Sequence, residues 1–154
     1  MSADARTTAQ KWVEGWGSPD PSSWISLYAP HAKYTDHAFQ IVRIGPETLT
    51  RHWNIWRTSH PDFTMEVLSW WPEEKLPDGR VRISFRTNNT GTFMKDLPTK
   101  KASGAPFAFV GVVDLLINVQ EGVIDEVEEW YGFNFERVKS VADYNTRADD
   151  DSGS

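Results

Sequence analysis

The sequence contains no cysteine in its 154 residues. Disulfides, thiolate nucleophiles, cysteine-ligated zinc and iron–sulfur clusters are excluded with it. No apolar run approaches the roughly 18 residues of a membrane span. The opening residues, Met1 to Arg6, lack the apolar core of a signal peptide. The expectation is a cytoplasmic protein that touches no membrane. Basic side chains are scarce, with 16 Lys and Arg against 22 Asp and Glu and a net charge of −6. An acidic chain with no basic stripe is poorly suited to nucleic acid, whose affinity comes mainly from neutralising phosphates. A Gly-rich phosphate cradle, a Walker motif and a Gly-x-Ser-x-Gly elbow are all missing, so neither a nucleotide cofactor nor acyl-serine chemistry has support. The four His are scattered, without HExxH-type spacing, and the expectation is no metal and no cofactor.

What the chain has in excess is aromatic side chains: 8 Trp, 8 Phe and 4 Tyr, 13% of the residues. Eight Trp exceed what a small core needs. Trp and Tyr are favoured where an apolar surface meets something polar, as in ligand pockets. Either a Trp-rich core or an aromatic-lined cavity accounts for them. The length fits one domain, and 39% hydrophobic with 25% charged residues is an ordinary globular balance. We expect a single domain over residues 1–142 and a polar, disordered tail over 143–154.

Residues 4–16 place Ala9, Trp12, Val13 and Trp16 on one helical face. Asp20-Pro21 opens a short second helix through Trp24, Leu27 and Tyr28, stopped by Pro30. Residues 32–39 alternate as a strand, with Tyr34, Asp36 and Ala38 on one face and Lys33, Thr35 and His37 on the other. Gly45-Pro46-Glu47 begins a third helix with the stripe Leu49, Trp53 and Trp56, closed by Pro61. From Asp62 the period is two. Phe63, Met65 and Val67 share a face. After the turn Pro77-Asp78-Gly79, so do Val81, Ile83 and Phe85, with Thr87 and Asn89 continuing their register. A loop over 94–106 leads to a strand from Phe107 to Val119, interrupted at Gly111 and Asp114. A turn at Glu121-Gly122, a last strand from Val123 to Tyr131 and a short helix near Phe135 to Val141 follow. Helices first and hairpin-linked strands after them mean an α+β fold.

Five stretches, in this order and spacing, resemble the SnoaL-like polyketide cyclase family of the nuclear-transport-factor-2-like superfamily. They are Tyr28-Ala29-Pro30 with Tyr34-Thr35-Asp36, then Gly45-Pro46-Glu47, then His60-Pro61-Asp62-Phe63, then Gly91-Thr92 before Leu97-Pro98-Thr99, and last Gly122-Val123-Ile124 leading to Glu128-Glu129-Trp130-Tyr131. The resemblance implies a cone-shaped, curved, mostly antiparallel sheet packed on three N-terminal helices, a cystatin-like barrel. It implies much less about the reaction, because this fold hosts cyclases, isomerases, dehydratases, epoxide hydrolases and non-enzymatic binders.

Glu129 is the first catalytic candidate. With Asp125, Val127 and Tyr131 it shares a strand face, and a carboxylate buried there would have a raised pKa suited to a general base. The resembling cyclases and limonene epoxide hydrolase place a catalytic acid at this strand position. A one-residue slip would instead turn Glu128 and Trp130 inward and leave Glu129 in water. Asp36 is the second candidate, on the face of Tyr34, near where the resembling scytalone dehydratases carry a catalytic tyrosine. Two carboxyls in one apolar cavity would divide into an acid and a base. The alternative is an Asp capping a strand end. His60 is the third, by resemblance to a dehydratase histidine nearby, against a structural His before Pro. His31 and His52 have no evident role.

Asn89 could hold a substrate carbonyl or enolate oxygen. Tyr34, Trp53, Trp56, Phe85, Phe109 and Tyr131 could wall a flat ligand, or equally be core. Arg86-Thr87-Asn88 has Asn where limonene epoxide hydrolase has the Asp of an Arg-x-Asp pair, which argues against that triad. The leading expectation is a cofactor-independent enzyme that moves a proton next to a carbonyl of a hydrophobic, polyketide-like substrate: a cyclase, isomerase or dehydratase. Glu129 would be the base, and Asp36 or His60 the acid. A non-catalytic binding or dimerisation module is the alternative, and an epoxide hydrolase the third. The resemblance also implies a homodimer through the outer sheet face, where Glu128 and Trp130 would lie.

Overall fold

The carboxylate of Asp4 accepts from the backbone N–H of Arg6 (2.7 Å) and Thr7 (3.2 Å), and this cap starts α1, Ala5–Gly15. The computed structural model describes residues 4–132. The expected helix near 135–141 and the tail over 143–154 lie outside the described residues. Helix α2 covers only Ser22–Ile25. It does not run on to Pro30 as expected; Tyr28 already opens strand β1, Tyr28–Asp36. Pro30 is tolerated inside that strand because pairing with the last strand shifts register between Tyr28 and Lys33, where its missing N–H breaks no regular ladder.

A turn through Gln40, at φ 57, returns the chain as β2, Ile41–Ile44, a strand the alternation did not reveal. Gly45, at φ 85, and Pro46 then launch α3, Pro46–Ser59. The remaining strands are β3 (Thr64–Trp70), β4 (Glu74–Lys75), β5 (Val81–Thr92), β6 (Pro106–Asn118) and β7 (Val123–Trp130). Strand β6 is continuous through Gly111 and Asp114. Asp114 faces outward, where it pairs with Arg82 (2.5 Å) and accepts from Ser84 (2.6 Å) across the ladder to β5.

The sheet order is β2-β1-β7-β6-β5-β3, with the short β4 beside β5. Every pair is antiparallel except β1 with β7. The expected α+β fold, a curved, mostly antiparallel sheet wrapped on helices, is present. The sheet is a cone open at its β2 and β3 edges and not a closed barrel. Bulges at Val67/Ser69 and Leu116/Ile117 bend it.

The concave face holds the core. Val81, Ile83, Phe85, Thr87 and Asn89 are all buried along β5, so its register is the one the alternation gives. Helix α1 lays Trp12 and Trp16 on this face beside Trp24 of α2. The indole N–H of Trp12 donates to the hydroxyl of Tyr28 (2.7 Å), and that of Trp53 to the carbonyl of Gly15 (3.1 Å). A side chain at Gly15 would put its Cβ 2.9 Å from Trp24, so glycine permits α1 and α2 to touch. Among the described residues, no helix is long and apolar enough to cross a membrane.

Candidate functional site

Neighbours on parallel strands send their side chains to the same face. Strands β1 and β7 pair with Tyr34 beside Val127 and Asp36 beside Glu129. That register sets two carboxyls side by side on the concave face. Glu129 is 9% exposed and Asp36 2%. Glu128 and Trp130 face outward. Trp130 is 41% exposed and stacks on the ring of His37 at 4.7 Å, while His37 lies 3.4 Å from Glu128. Of the two registers open to the last strand, the one that buries Glu129 is adopted.

Each carboxyl has its own tyrosine. The Tyr34 hydroxyl donates to Oε1 of Glu129 at 2.6 Å, and the Tyr131 hydroxyl to Oδ2 of Asp36 at 2.7 Å. The backbone N–H of Phe39 adds a third bond, to Oδ1 of Asp36 at 2.9 Å. Burial is the largest influence on Glu129 and the charge of Asp36 the next. Together they push its pKa up to about 8 against the pull of Tyr34. Burial also raises Asp36, moderated by the donors Phe39 and Tyr131. Repulsion favours a single negative charge on the pair near neutral pH, and the donors on both oxygens of Asp36, against one on Glu129, make Asp36 the better seat for it and Glu129 the better seat for the proton. Burial and the nearby carboxyls raise both tyrosines well above their ordinary value, so they stay hydroxyl donors.

A third group joins them from α3. A ring nitrogen of His52 and one oxygen each of Asp36 and Glu129 lie within 4.8 Å of one another. The His52 pKa falls to about 3, chiefly through burial and secondly through the charge of Arg43, so the imidazole is neutral. The sequence reading gave His52 no role, yet a signal was present. The stripe Leu49, Trp53, Trp56 lacks only its i+3 member, and that position is His52. These three groups also form the preformed ligand set that sequence spacing did not reveal. One nitrogen and two carboxylates could hold a divalent cation, provided that Glu129 first gave up its proton.

Two cavities meet at this cluster, and His52 and Trp56 line both. The inner hollow touches Glu129, Asn89, Phe109 and Tyr131; it leaves about 20 Å³ for the centre of a water molecule, room for roughly one. The outer cleft touches Asp36, Phe39, Arg43 and the loop residues Leu97, Pro98 and Thr99; it leaves about 100 Å³ by the same measure and encloses about 500 Å³ to its mouth. Gly111 helps to keep the hollow open. A Cβ there would lie 3.2 Å from the Thr87 hydroxyl and 3.3 Å from the Trp130 carbonyl. The 94–106 loop is a fixed wall of the cleft, tied down by backbone bonds from Met94 and Lys95 to the Ser59 carbonyl.

The other expected site residues divide. Asn89 lines the hollow. Its amide donates to the Thr87 hydroxyl (2.9 Å) and the Phe109 carbonyl (3.4 Å), which leaves its buried oxygen without a partner. Trp56, Phe109 and Tyr131 are cavity walls, and Tyr34 supports Glu129 from the side. Trp53 and Phe85 line neither cavity; they are core, against Arg57 and Gly15 in one case and Trp12 and Trp70 in the other. His60 also lines neither. It closes α3 and packs among Trp56, Phe93 and Phe107, where burial lowers its pKa to about 4. The structure thus brings His52, and not His60, to the carboxyls. Arg86 points outward to the Ser69 hydroxyl (2.9 Å), away from the cavities, so the strand offers an epoxide-hydrolase triad neither its Asp nor its Arg.

Comparison with known proteins agrees with this architecture. No curated protein matches the sequence. Solved structures do. One is a protein of ketosteroid isomerase-like fold from Catenulispora acidiphila, with TM-score 0.68, 16% identity and coverage of 86% of this chain and 91% of that one. Another is a candidate SnoaL-like polyketide cyclase from Jannaschia, with TM-score 0.69, 12% identity and coverage of 82% and 83%. A third is IdmH, a candidate polyketide cyclase from Streptomyces antibioticus, with TM-score 0.65, 18% identity and coverage of 82% and 90%. At these identities the likeness is one of fold. The model of the SnoaL-like domain matches residues 9–127, from α1 into β7, and with that match the chain belongs to the SnoaL-like domain family.

Proposed function

We propose that this protein catalyses cofactor-independent proton transfer next to the carbonyl of a hydrophobic, ring-bearing substrate, as a polyketide-type cyclase or an isomerase or dehydratase does. The observation that carries this reading is the Asp36–Glu129 juxtaposition beside a neutral His52 at the wall of an apolar cleft. The two carboxyls exchange the roles their sequence context suggested. Asp36 faces the cleft, carries the charge and is the base. Glu129 faces the inner hollow and holds a proton.

The step balances without a further reactant. A carbon-bound proton alpha to the carbonyl passes to Oδ of Asp36, and the electron pair moves onto the carbonyl oxygen. The N–H of neutral His52, facing the cleft, donates to that oxygen and stabilises it. Asp36 then returns the proton to carbon, or the enolate carbon closes onto a second carbonyl. An ionised Glu129 would oppose the developing enolate charge, so its proton keeps the site competent. Phe39, Ile41, Ile55 and Trp56 exclude water and hold the reacting carbon near Asp36.

Deuterium wash-in to 2-tetralone in D2O, followed by NMR, tests the reading. Enhanced exchange by the wild type and its loss in Asp36→Asn supports it, and equal exchange by both proteins refutes it. A second copy of the chain on the outer face, against exposed Trp130, belongs to the same proposal. Light scattering at twice 17.6 kDa supports that partner, and 17.6 kDa itself refutes it.

A further inference from the structure

The cleft wall contains one cation that the proton-transfer chemistry does not use. Arg43 lies on β2 in register with Tyr34, so it projects to the concave face while its neighbours Val42 and Ile44 point to solvent. It lines the cleft together with Asp36, His52 and the apolar residues Phe39, Ile41, Ile55, Trp56, Leu97 and Pro98. Its Nε is buried and has no hydrogen-bond partner, and among the described residues no carboxylate forms an ion pair with it. A surface arginine lays its stem on apolar ground and keeps its head in water. This one leaves its buried Nε unmet, which costs free energy, and the fork beyond it has no carboxylate partner among the described residues. Asp36, the carboxyl that lines the cleft, already accepts from Tyr131 and Phe39.

We propose that Arg43 is the anchor for a carboxylate on the substrate, so that the cleft takes a hydrophobic carbonyl compound that is also an organic acid. This rests on the reading of the cleft as the substrate site and specifies which compounds enter it. The guanidinium fork matches a carboxylate with two parallel N–H bonds. The apolar walls bind the ring system, and the anchor at Arg43 fixes which carbon faces Asp36. A neutral polyketide of the same shape leaves the fork unpaired and is disfavoured.

The test is equilibrium binding of 2-naphthoate and its neutral analogue 2-naphthamide, measured by titration calorimetry at pH 7. The wild type is expected to bind the acid at least tenfold more tightly than the amide. Arg43→Gln should abolish that preference, acid binding falling to the level of the amide, and continued binding of the amide also shows that the variant folds. Arg43→Lys should retain part of it, as a point charge without the fork. Equal binding of acid and amide by the wild type, no binding of either, or a preference that survives in Arg43→Gln each overturns the proposal. The measurement involves no proton transfer. An intact acid preference in a protein that exchanges no deuterium would therefore support the anion site and count against the proton-transfer reading alone.

Discussion

The concave face of one sheet is built in two ways. Under α1 and α2 it is solid. Trp12, Trp16, Trp24, Tyr28 and Phe85 interlock, and the deep hydrogen bonds, Trp12 to Tyr28 and Trp53 to the Gly15 carbonyl, join neutral groups. Under α3 and the 94–106 loop it is hollow, and its tyrosines donate to carboxyls that repel each other. The residue types are similar, and Tyr34 belongs to both regions. The difference lies in what covers the sheet. Two Trp-bearing helices fill one end, whereas the other is roofed by α3 and a loop that stand off far enough to leave a cleft. Stability should therefore reside at the first end and reactivity at the second, with charge burial as the cost of the latter.

The largest way to break this contrast is to remove the base. Asp36→Asn should slow proton exchange about 1000-fold, within the range of general base catalysis, while Tm holds or rises because a buried, desolvated charge is removed. NMR exchange rates and calorimetry together check it; a large Tm loss would make Asp36 structural. Next is His52→Leu, which removes the donor to the developing oxyanion and should cost about 100-fold in kcat, with little change in KM. An equal rise in KM would mark His52 as a general contact instead.

Glu129→Gln sharpens the comparison through pH. Gln mimics the protonated acid, so activity at pH 7 should stay within about 10-fold of wild type. The decline in wild-type rate as Glu129 ionises near pH 8 should disappear in the variant. Stability has the same signature. A carboxyl whose folded pKa is raised binds its proton in the folded state alone, so its stabilisation is complete below the unfolded pKa and is lost as pH rises toward about 8. The buried His52 and His60, with folded pKa values of about 3 and 4, act oppositely. Stability gained from them rises with pH and is complete above 6.5, their ordinary value. Between pH 6.5 and 8 the carboxyl effect stands alone, and one proton over that interval amounts to about 2 kcal/mol, or roughly 4–8 °C in Tm. A wild-type Tm flat across that window, or a slope that persists in Glu129→Gln, would refute the protonated Glu129.

Tyr28→Phe probes the solid end. It leaves the indole N–H of Trp12 buried and unpaired and should cost about 1–3 kcal/mol by denaturant unfolding, with exchange activity unchanged. The smallest expected effect is none: EDTA should leave exchange intact. A loss reversed by a divalent cation would instead assign Asp36, His52 and Glu129 to a metal.

Much of the fold was legible in local pattern. The stripe of α1, the Gly-Pro entry to α3 and the inward register from Val81 to Asn89 are short-range signals, and each element forms where they indicate. The elements that escaped notice, β2 and β4, are too short to show a period. The start of β1 was hidden because a proline normally ends regular structure and is accommodated here by a register shift in the neighbouring ladder. For the site, alternation together with the family resemblance pointed to Asp36 and Glu129, and only the register of the last strand was left open between Glu129 and Glu128. The histidine was not: His60 has the more suggestive motif, but α3 turns His52 inward and leaves His60 at its end among aromatic rings. Arg43 lies between the strand expected over 32–39 and the helix entry at Gly45, in a stretch to which the pattern assigned no element.

By itself the sequence determined which faces are apolar, where helices begin, and that ionisable groups occupy otherwise apolar faces. Those properties depend on residues within a few positions of one another. Only the tertiary structure decided that β1 lies parallel to β7 with residue 36 beside residue 129. No local period encodes a pairing across so much chain. The repulsion that helps to raise the Glu129 pKa follows from that alignment, while its burial, the His52 contact and the shape of the cleft follow from where α3 and the 94–106 loop lie over it, because charge repulsion and desolvation depend on distance in space.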